Sequence, residues 1–376
     1  MTGGNGARRI LQVGSGFSSW GGAELHMVNL ATALASRGND VIVAARPGEF
    51  VARETERRGL KTVGLTCCKQ QDWRDSAGFR RLLRTFRPHI VHVHTSYDYF
   101  VAPVLARLSG VPVVLMSRHV PFRIKPGLSR FLYGKAFFTR IIALSDSVRQ
   151  TLLASGIDAA KIVTIHHGTD TDAFRAQSAR SSGAIRAEWN IPTDAFLVGM
   201  AGRLIPDKGV AVFLEALATR PDAFGVVIGD GPLEAELRAY TAAVPGLAAR
   251  IVFAGFRADI ADAIGALDAL VLASTWAEPC AAVVQQAMAL SKPVIGTNIG
   301  GTPEMVGGGE TGLLVPPGDA LALAAAIATL AADPGRRERM GAAGRTRVES
   351  CFTLAGMTDK VEDLYGMLLS QAARNS

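Results

Sequence analysis

Residues 197–209 read Leu-Val-Gly-Met-Ala-Gly-Arg-Leu-Ile-Pro-Asp-Lys-Gly, a short apolar run that ends in a loop bounded by glycines. The run at 197–201 is typical of a strand buried on both faces of a parallel sheet. Arg203 and Lys208 then lie at the carboxyl end of that strand, where open α/β sheets bind ligands. A solvated loop would explain either cation singly. Both together, between glycines, favour a phosphate-binding role, since Arg offers a bidentate fork and Lys a point charge.

The same alternation of short apolar runs with longer amphipathic stretches continues along the whole chain. It predicts parallel strands at 10–13, 41–44, 61–64, 90–93, 113–116, 141–144 and 162–165, and again at 197–201, 225–228, 251–254, 269–273 and 293–296. Amphipathic stretches at 23–36, 145–155, 321–332 and 358–372 predict helices. The predicted fold class is α/β, with two Rossmann-like, doubly wound parallel-sheet domains and a ligand cleft between them.

A polar stretch at 175–192 lacks apolar periodicity and predicts the connection between the two domains. We therefore place an N-terminal domain at 1–176, a linker at 177–195, a C-terminal domain at 196–357 and a C-terminal helix at 358–376. That helix has one apolar face that needs a partner, and the N-terminal domain is one candidate.

Composition excludes several classes of protein. The 376 residues are 48% hydrophobic and 19% charged, which excludes a disordered chain, and the glycines have no collagen-like period. The four cysteines, at 67, 68, 280 and 351, have neither metal-ligand nor disulfide-framework spacing and favour a reducing cytosol. No apolar run approaches the ~18 residues of a membrane span, so we expect any membrane contact to be peripheral.

Positive charge is concentrated in the first half of the chain. Residues 1–175 carry 24 Lys and Arg against 12 Asp and Glu, whereas the remaining residues have a net charge of −5. Residues 118–140 also interleave basic and aromatic side chains. The charge suits an acidic partner or an anionic membrane surface, and the basic and aromatic segment suits a membrane surface; solvated helix faces and core aromatics are the alternative explanations. Nothing resembles an RNA-binding module, so no nucleic-acid partner is expected.

Two glycine-rich or acidic motifs follow other predicted strands. In Gly14-Ser15-Gly16-Phe17-Ser18-Ser19-Trp20-Gly21-Gly22, Ser19 replaces the third glycine of G-x-G-x-x-G, which disfavours a nicotinamide dinucleotide. Gly21 and Gly22 still allow a ligand close to the next helix N-terminus, although a plain turn is the alternative. Glu278 is expected where a later helix starts, with Gln286 about two turns on along the same face, a pair that could hold one elongated polar ligand or merely cap the helix.

Two other patterns have simpler explanations. Asp170-Thr171-Asp172 spells the D-x-D of metal-dependent transferases, but a turn or helix cap is expected here. His92 and His94 share one face of a strand without an identifiable third ligand. We therefore expect packing and hydrogen bonding for His92 and a place in the cleft for His94.

Taken in chain order, these motifs resemble the retaining glycosyltransferases of family 4, which have the GT-B fold. The resemblance is carried by Gly21-Gly22-Ala23-Glu24, His94, His119, residues 165–170, Gly202-Arg203 with Lys208-Gly209, Gly229-Asp230-Gly231-Pro232, residues 274–278, Gln286-Ala287-Met288-Ala289, residues 292–295 and Gly300-Gly301. It covers nearly the entire chain.

The resemblance implies transfer of a sugar from a UDP- or GDP-linked donor to an acceptor, with retention at the anomeric carbon and with no metal or other cofactor. The implied catalytic residues are His119, close to the transferred sugar, Glu278, on the donor sugar or phosphate, and Arg203 and Lys208, on the diphosphate. The implied donor-binding residues are Gly21, Gly22, Arg203, Lys208, Gly229, Gly231, Arg257, Glu278, Ala281, Ala282, Val283 and Gln286, the last on the ribose hydroxyls.

The chain departs from the family at Gln286, where the family has glutamate, and at His167, where it usually has asparagine. An amide can still bind ribose, but it loses the charge-assisted bonds of a carboxylate. The family also implies a glycan or lipid-linked acceptor, a role in lipopolysaccharide, capsule or glycolipid synthesis, and a cytoplasmic location, with the inner membrane face possible. Two alternatives stay open: a nucleotide-sugar epimerase of the same fold, and a non-catalytic basic scaffold.

Overall fold

The computed structural model of the chain describes residues 7–15, 21–65, 76–95, 98–131, 133 and 137–374. The chain forms two compact units, one of Met1–Gly168 with Leu354–Ser376 and one of Thr169–Thr353. Within the described ranges, no helix combines the length and the apolar character needed to cross a membrane.

The first unit is built on a parallel sheet with the described strand order β3-β2-β1-β4-β5-β6-β7. The strands are β1 (Arg9–Gly14), β2 (Asp40–Ala45), β3 (Lys61–Gly64), β4 (Ile90–Val93), β5 (Val113–Arg118), β6 (Arg140–Ala143) and β7 (Ile162–Thr164). The helices that precede Gly168 are α1 (Gly22–Ser36), α2 (Phe50–Arg57), α3 (Ser76–Phe86), α4 (Val101–Leu108), α5 (Leu128–Phe131) and α6 (Asp146–Ala154).

The second unit repeats this plan with the strand order β10-β9-β8-β11-β12-β13, also parallel. Its strands are β8 (Phe196–Ala201), β9 (Ala223–Ile228), β10 (Ile251–Gly255), β11 (Ala269–Leu272), β12 (Val294–Thr297) and β13 (Gly312–Val315). Its helices are α7 (Thr171–Ala176), α8 (Ser182–Glu188), α9 (Val210–Ala218), α10 (Glu234–Ala243), α11 (Ile260–Gly265), α12 (Ala282–Ala289), α13 (Thr302–Met305), α14 (Ala320–Ala332) and α15 (Pro334–Cys351).

In each sheet the order of the strands reverses next to one central strand, and this reversal is the topological switch point. In the first unit β1 pairs with both β2 and β4, and in the second β8 pairs with both β9 and β11. Strands such as β8 and β11 are apolar and buried on both faces, as their continuous hydrophobic runs predict. Loops that leave the carboxyl ends of these central strands are therefore placed to bind ligands.

The linker prediction is wrong in structural terms. Residues 177–195 contain α8 and lie inside the second unit, where Ile185 and Trp189 pack into the core. The two apolar side chains are four residues apart and so share one helix face, a short signal that the surrounding Ser, Gly and Arg obscure.

The C-terminal helix, α16 (Leu354–Arg374), belongs to the first unit, which moves the expected boundary at 357/358 to 353/354. It packs against α1, and its apolar face enters the core of that unit through Met357, Val361, Leu364, Tyr365 and Leu368. Burial of this face is what ties the end of the chain to its beginning.

Candidate functional site

The loop after β8 carries the two predicted phosphate-binding cations. Leu204 is buried and anchors the loop, while Arg203 is exposed and Lys208 half-buried at the end of a short 3-10 turn. Both cations line a small crevice at the carboxyl end of β8. Gly209 closes the turn with φ +67°, and a Cβ there would lie 1.9 Å from the carbonyl oxygen of Ala273, so only glycine fits.

Glu278 is held beside Lys208. Its Oε2 accepts a hydrogen bond from Lys208 Nζ at 2.7 Å, and its Oε1 accepts one from the Ser274 hydroxyl. The Glu278 carbonyl accepts from the Gly301 amide at 2.7 Å, and Gly300, at φ +63°, packs directly on the Glu278 backbone. The loops after β8 and β11 thus bring a carboxylate and an ammonium together at the switch point of this unit.

The predicted geometric relation between Glu278 and Gln286 is wrong. Helix α12 begins at Ala282 with Ala281 as its N-cap, so Glu278 lies in the preceding loop and not on the helix. Gln286 is half-buried on the same face as Ala282 and Val283, whereas its neighbour Gln285 is fully buried. The Gln285 side chain accepts from the Thr169 hydroxyl at 2.7 Å and is structural.

The glycines of the Gly229-Asp230-Gly231-Pro232 motif allow the loop after β9 to pack closely against the loop that carries Arg203. At φ +124°, a Cβ on Gly229 would lie 2.0 Å from the Gly202 carbonyl oxygen, and one on Gly231 would lie 2.6 Å from the Leu204 amide nitrogen. The Leu204 amide donates to the Asp230 carbonyl at 2.8 Å. These glycines shape the loop that carries Arg203, while their contact with a donor stays a prediction.

Arg257 is already neutralised by carboxylates of its own unit. Its guanidinium makes paired hydrogen bonds to Asp259 at 2.7 and 2.6 Å and a further ion pair to Glu188. These partners, Glu188 first, raise the pKa of Arg257. A donor contact by Arg257 remains a prediction, and it would have to compete with these ion pairs.

In the first unit, the described part of the glycine loop ends at the start of α1. Gly21 is the N-cap, in extended backbone, and contributes no side chain to the helix end. A Cβ on Gly21 would clash with the Glu24 carboxylate at 2.6 Å, whereas a Cβ on Gly22 would meet none of the described residues within 4 Å. The described residues therefore leave room beside Gly22. Residues 16–20 lie outside the described residues.

His119 follows β5 directly and belongs to a group of five histidines in the first unit, which we call the histidine cluster: His26, His92, His94, His119 and His167. His26 lies on α1, while His94 and His167 follow β4 and β7. The ring centroids of His26 and His119 are 5.0 Å apart, and those of His92 and His94 are 4.3 Å apart. The topology thus brings together rings from across 141 residues of sequence, as the His26 to His167 pair shows.

Hydrogen bonds fix several rings of the histidine cluster. His92 bonds through Nδ1 to the Tyr365 hydroxyl at 2.7 Å and through Nε2 to the Ser117 hydroxyl at 2.9 Å. His94 Nε2 lies 2.5 Å from Gln12 Oε1, and His26 Nδ1 lies 2.9 Å from His167 Nδ1. The prediction that His92 serves packing and hydrogen bonding is confirmed.

Burial keeps the histidine cluster uncharged at neutral pH. It lowers the pKa of His92 and of His119 to about 3, and that of His167 to about 4. The pKa values of His26 and His94 also lie well below the ordinary range, first because of burial and then because neighbouring histidines repel a proton. His119 can therefore act as a neutral hydrogen-bonding group.

Sequence reasoning missed His26 and Tyr365 as parts of this site. The signal at His26 was weak because a single histidine on an apolar helix is ordinarily a core residue. Tyr365 comes from α16, whose partner could not be assigned from periodicity. The D-x-D motif, by contrast, is structural as predicted, since the Asp170 carboxylate caps α7 by accepting from the Ala173 amide at 3.0 Å.

Two family models match the chain in series. One, described as Glycosyltransferase Family 4, matches residues 20–173, and the other, Glycosyl transferases group 1, matches residues 181–347. The chain belongs to the family 4 glycosyltransferases. The predicted family, the GT-B fold class and the enzyme class, a hexosyltransferase-type glycosyltransferase, are confirmed together.

Individual relatives cover most of this glycosyltransferase. The lipopolysaccharide core biosynthesis glycosyltransferase LpsD of Rhizobium meliloti is 28% identical over 93% of this chain and 96% of its own length. The UDP-Gal:alpha-D-GlcNAc-diphosphoundecaprenol alpha-1,3-galactosyltransferase of Escherichia coli is 27% identical over 78% of this chain and 79% of its own. The structure of Anabaena Alr3699/HepE in complex with UDP covers 96% of this chain and 100% of its own, at 21% identity and a TM-score of 0.84, and supports the fold.

Proposed function

We propose that this glycosyltransferase moves a hexose from a nucleotide diphosphate sugar to an acceptor in cell-surface glycan synthesis, with retention at the anomeric carbon and without a catalytic metal ion. The observation that carries the proposal is the contact between Lys208 and Glu278 beside the exposed Arg203. Arg203, Lys208 and Glu278 together carry one net positive charge, which suits a diphosphate.

The chemistry needs that charge. When the bond between sugar and diphosphate breaks, the electron pair stays on the leaving phosphate oxygen, so negative charge grows there in the transition state. Preorganised cations near that oxygen lower the barrier without reorganising during the reaction. Lys208 is held in place by Glu278 before the donor arrives, and Glu278 keeps a carboxylate available for sugar hydroxyls.

The neutral histidine at 119 fits a role near the transferred sugar. Its low pKa means that it hydrogen-bonds to a hydroxyl without adding positive charge next to an oxocarbenium-like centre. Gln286, half-buried on α12, is proposed to hold the ribose hydroxyls through its amide. The diphosphate donor is further supported by the UDP complex of the Anabaena protein.

The acceptor class rests on the relatives. LpsD acts in lipopolysaccharide core synthesis, and the Escherichia coli relative uses a diphosphoundecaprenol-linked sugar. We accordingly propose a glycan or lipid-linked acceptor and action in the cytoplasm. The choice between UDP and GDP, and the sugar itself, are to be read from a panel of donors.

The test is transfer by purified protein with excess EDTA, using a panel of UDP- and GDP-sugars and lipid-linked acceptors, with product configuration read by NMR. Arg203→Ala and Lys208→Ala are each expected to lower kcat by about 10²–10³, in line with losing one transition-state donor. Arg345→Ala is the matched control, because Arg345 lies on the surface of α15, where it forms an ion pair with Glu349. Unchanged turnover in both site variants would refute the assigned roles.

The same assay, with a measurement of thermal stability beside it, separates this function from the two alternatives, an epimerase and a scaffold. An epimerase would change its nucleotide sugar without any acceptor, and a scaffold would neither turn over nor gain thermal stability with any nucleotide. A product with inverted configuration would reject only the retaining part of the proposal. Loss of transfer in EDTA with recovery on adding Mg²⁺ would reject only the metal-independent part.

We also propose peripheral docking on an anionic membrane through the segment that follows β5. Phe122 and Phe131 are 52% and 53% exposed, and Arg123, Lys125 and Arg130 around them are exposed too. Exposed rings and cations of this kind suit the headgroup region. Other aromatics of the segment, Tyr133 and Phe138, are core residues.

Sedimentation with anionic and neutral vesicles tests the membrane proposal. Binding to anionic vesicles alone is expected, with a severalfold loss in Phe122→Ser/Phe131→Ser. Phe256→Ser is the control, because Phe256 is also exposed but lies in the second unit. Equal sedimentation with and without anionic lipid would end the proposal.

A further inference from the structure

Three members of the histidine cluster converge closely enough to bind one ion. His26, His94 and His119 each offer a ring nitrogen, and these three atoms all lie within 4.8 Å of one another. The three side chains come from α1 and from the ends of β4 and β5, so the sheet itself positions them. None of the roles proposed for donor binding requires three imidazoles to face one point.

The distance between one ring nitrogen of His94 and one of His119 is informative. His94 Nδ1 and His119 Nε2 are 3.4 Å apart, which is long for a hydrogen bond. Two ligand nitrogens on one tetrahedral metal at ~2.0–2.1 Å are separated by about 3.4 Å. The pair is thus already at the spacing that a shared metal ion requires.

The surroundings orient these rings as metal ligands are usually oriented. Donation from His94 Nε2–H to Gln12 Oε1, at 2.5 Å, leaves the lone pair on Nδ1, the atom that faces His119. His26 is held through Nδ1 by His167 at 2.9 Å. A hydrogen bond on the second ring nitrogen is the usual way to fix a ligating imidazole. Gln12 is in turn 3.4 Å from the Tyr365 hydroxyl, which extends the support to α16.

We propose that His26, His94 and His119 form a binding site for a zinc-class transition-metal ion, with the fourth position left to water or solvent. Three imidazoles and one water are a ligand set that zinc uses in open sites. His119 is the least buried of the three side chains. A bound ion would occupy the His119 nitrogen, so it would inhibit sugar transfer. This inhibitory effect alone rests on the proposed function of His119.

Binding is tested on the full chain, freed of metal by EDTA and then dialysed. Titration with Co²⁺ is expected to give the intense absorption of a tetrahedral complex at one equivalent, displaced by Zn²⁺. His26→Gln and His119→Gln are each expected to weaken binding by at least ~100-fold, more than loss of a supporting group would. His92→Gln is the matched control, since His92 is a buried neighbour in the cluster but not one of the three ligands.

The variants are compared only where circular dichroism shows a native fold. If His26→Gln does not fold, His119→Gln, which changes a less buried position, still tests the site. No tetrahedral Co²⁺ signal, or equal binding by wild type and both ligand variants, would overturn the site. Transfer in the presence of Zn²⁺ is measured separately, relative to the metal-free rate of each protein. Metal binding without inhibition would overturn the inhibitory role and leave the proposed site intact. The Co²⁺ measurement does not depend on sugar transfer, so it tests the site even if the proposed function is wrong.

Discussion

Gln286 stands where the resemblance to the family implies a glutamate, and its setting makes the difference testable. The side chain is half-buried on the face of α12 that also carries Ala282 and Val283, so a carboxylate there remains solvated. We expect Gln286→Glu to fold like the wild type and to bind its nucleotide severalfold more tightly, because charge-assisted bonds to ribose are stronger than those of an amide. Isothermal titration with UDP and GDP measures the change.

The adjacent residue provides the control for that substitution. Gln285 is fully buried and bonded to Thr169, so Gln285→Glu places an uncompensated charge in the core and should lower the melting temperature sharply. If Gln286→Glu instead weakens nucleotide binding while its fold is intact, then the amide is required at this position and the ribose assignment must be revised.

At the scale of secondary-structure elements, the strands were predictable and the joints between elements were not. All twelve predicted strands are present. Most of them are short apolar runs buried in a parallel sheet, whereas the residues of β3 are exposed or half-buried. The start of α12 was misplaced because its N-cap is Ala281, which carries no capping side chain that the sequence could signal. The short strand β13 is not predicted, because its four residues, Gly312–Val315, are a weak signal between glycines and prolines.

The candidate site was predictable where its residues lie in motifs at strand ends, and not where it depends on contacts between distant elements. Arg203, Lys208 and Glu278 lie at strand ends within recognisable motifs, but the contact between Lys208 and Glu278 is seen only in the structure. The histidine cluster could not be predicted, because its members come from α1 and from several strands that only the sheet order makes neighbours. The packing partner of α16 could not be predicted either, since an apolar helix face does not specify which sheet covers it.

The joint between β8 and α9 gives a prediction at this scale. Gly209 and Gly246 both have left-handed backbone, at φ +67° and +71°, but only at Gly209 does an added Cβ meet another loop, that of Ala273. Gly246→Ala should cost about 1–2 kcal/mol in unfolding free energy from backbone strain alone. Gly209→Ala should cost about 1–3 kcal/mol more and should also reduce transfer, because the loops that carry Lys208 and Glu278 are forced apart. Urea unfolding followed by circular dichroism measures both, and equal losses would mean that the loop contact contributes nothing.

Across the whole molecule, the two units differ in their response to acid. All seven histidines lie between residues 26 and 167, so the first unit contains every histidine and the second contains none. In the folded first unit the cluster stays neutral down to low pH, with the pKa of His92 at about 3 and that of His167 at about 4, whereas the unfolded chain takes up protons below its ordinary histidine pKa of ~6.5.

This difference fixes the sign of the pH dependence. Because the folded pKa values are lowered, the unfolded state binds more protons as pH falls, so the stability of the first unit is full above ~6.5 and declines below it. Each buried histidine contributes a loss of up to about 1.4 kcal/mol per pH unit. Between pH 6.5 and 5 most carboxylates remain charged, which isolates the histidine effect. Hydrogen exchange in EDTA, corrected for intrinsic rates, should show β4 and β5 losing protection over this range while β8 and β11 keep theirs. His92→Gln should make the slope for the first unit shallower, and parallel losses in both units would show that burial of the histidine cluster does not govern acid stability.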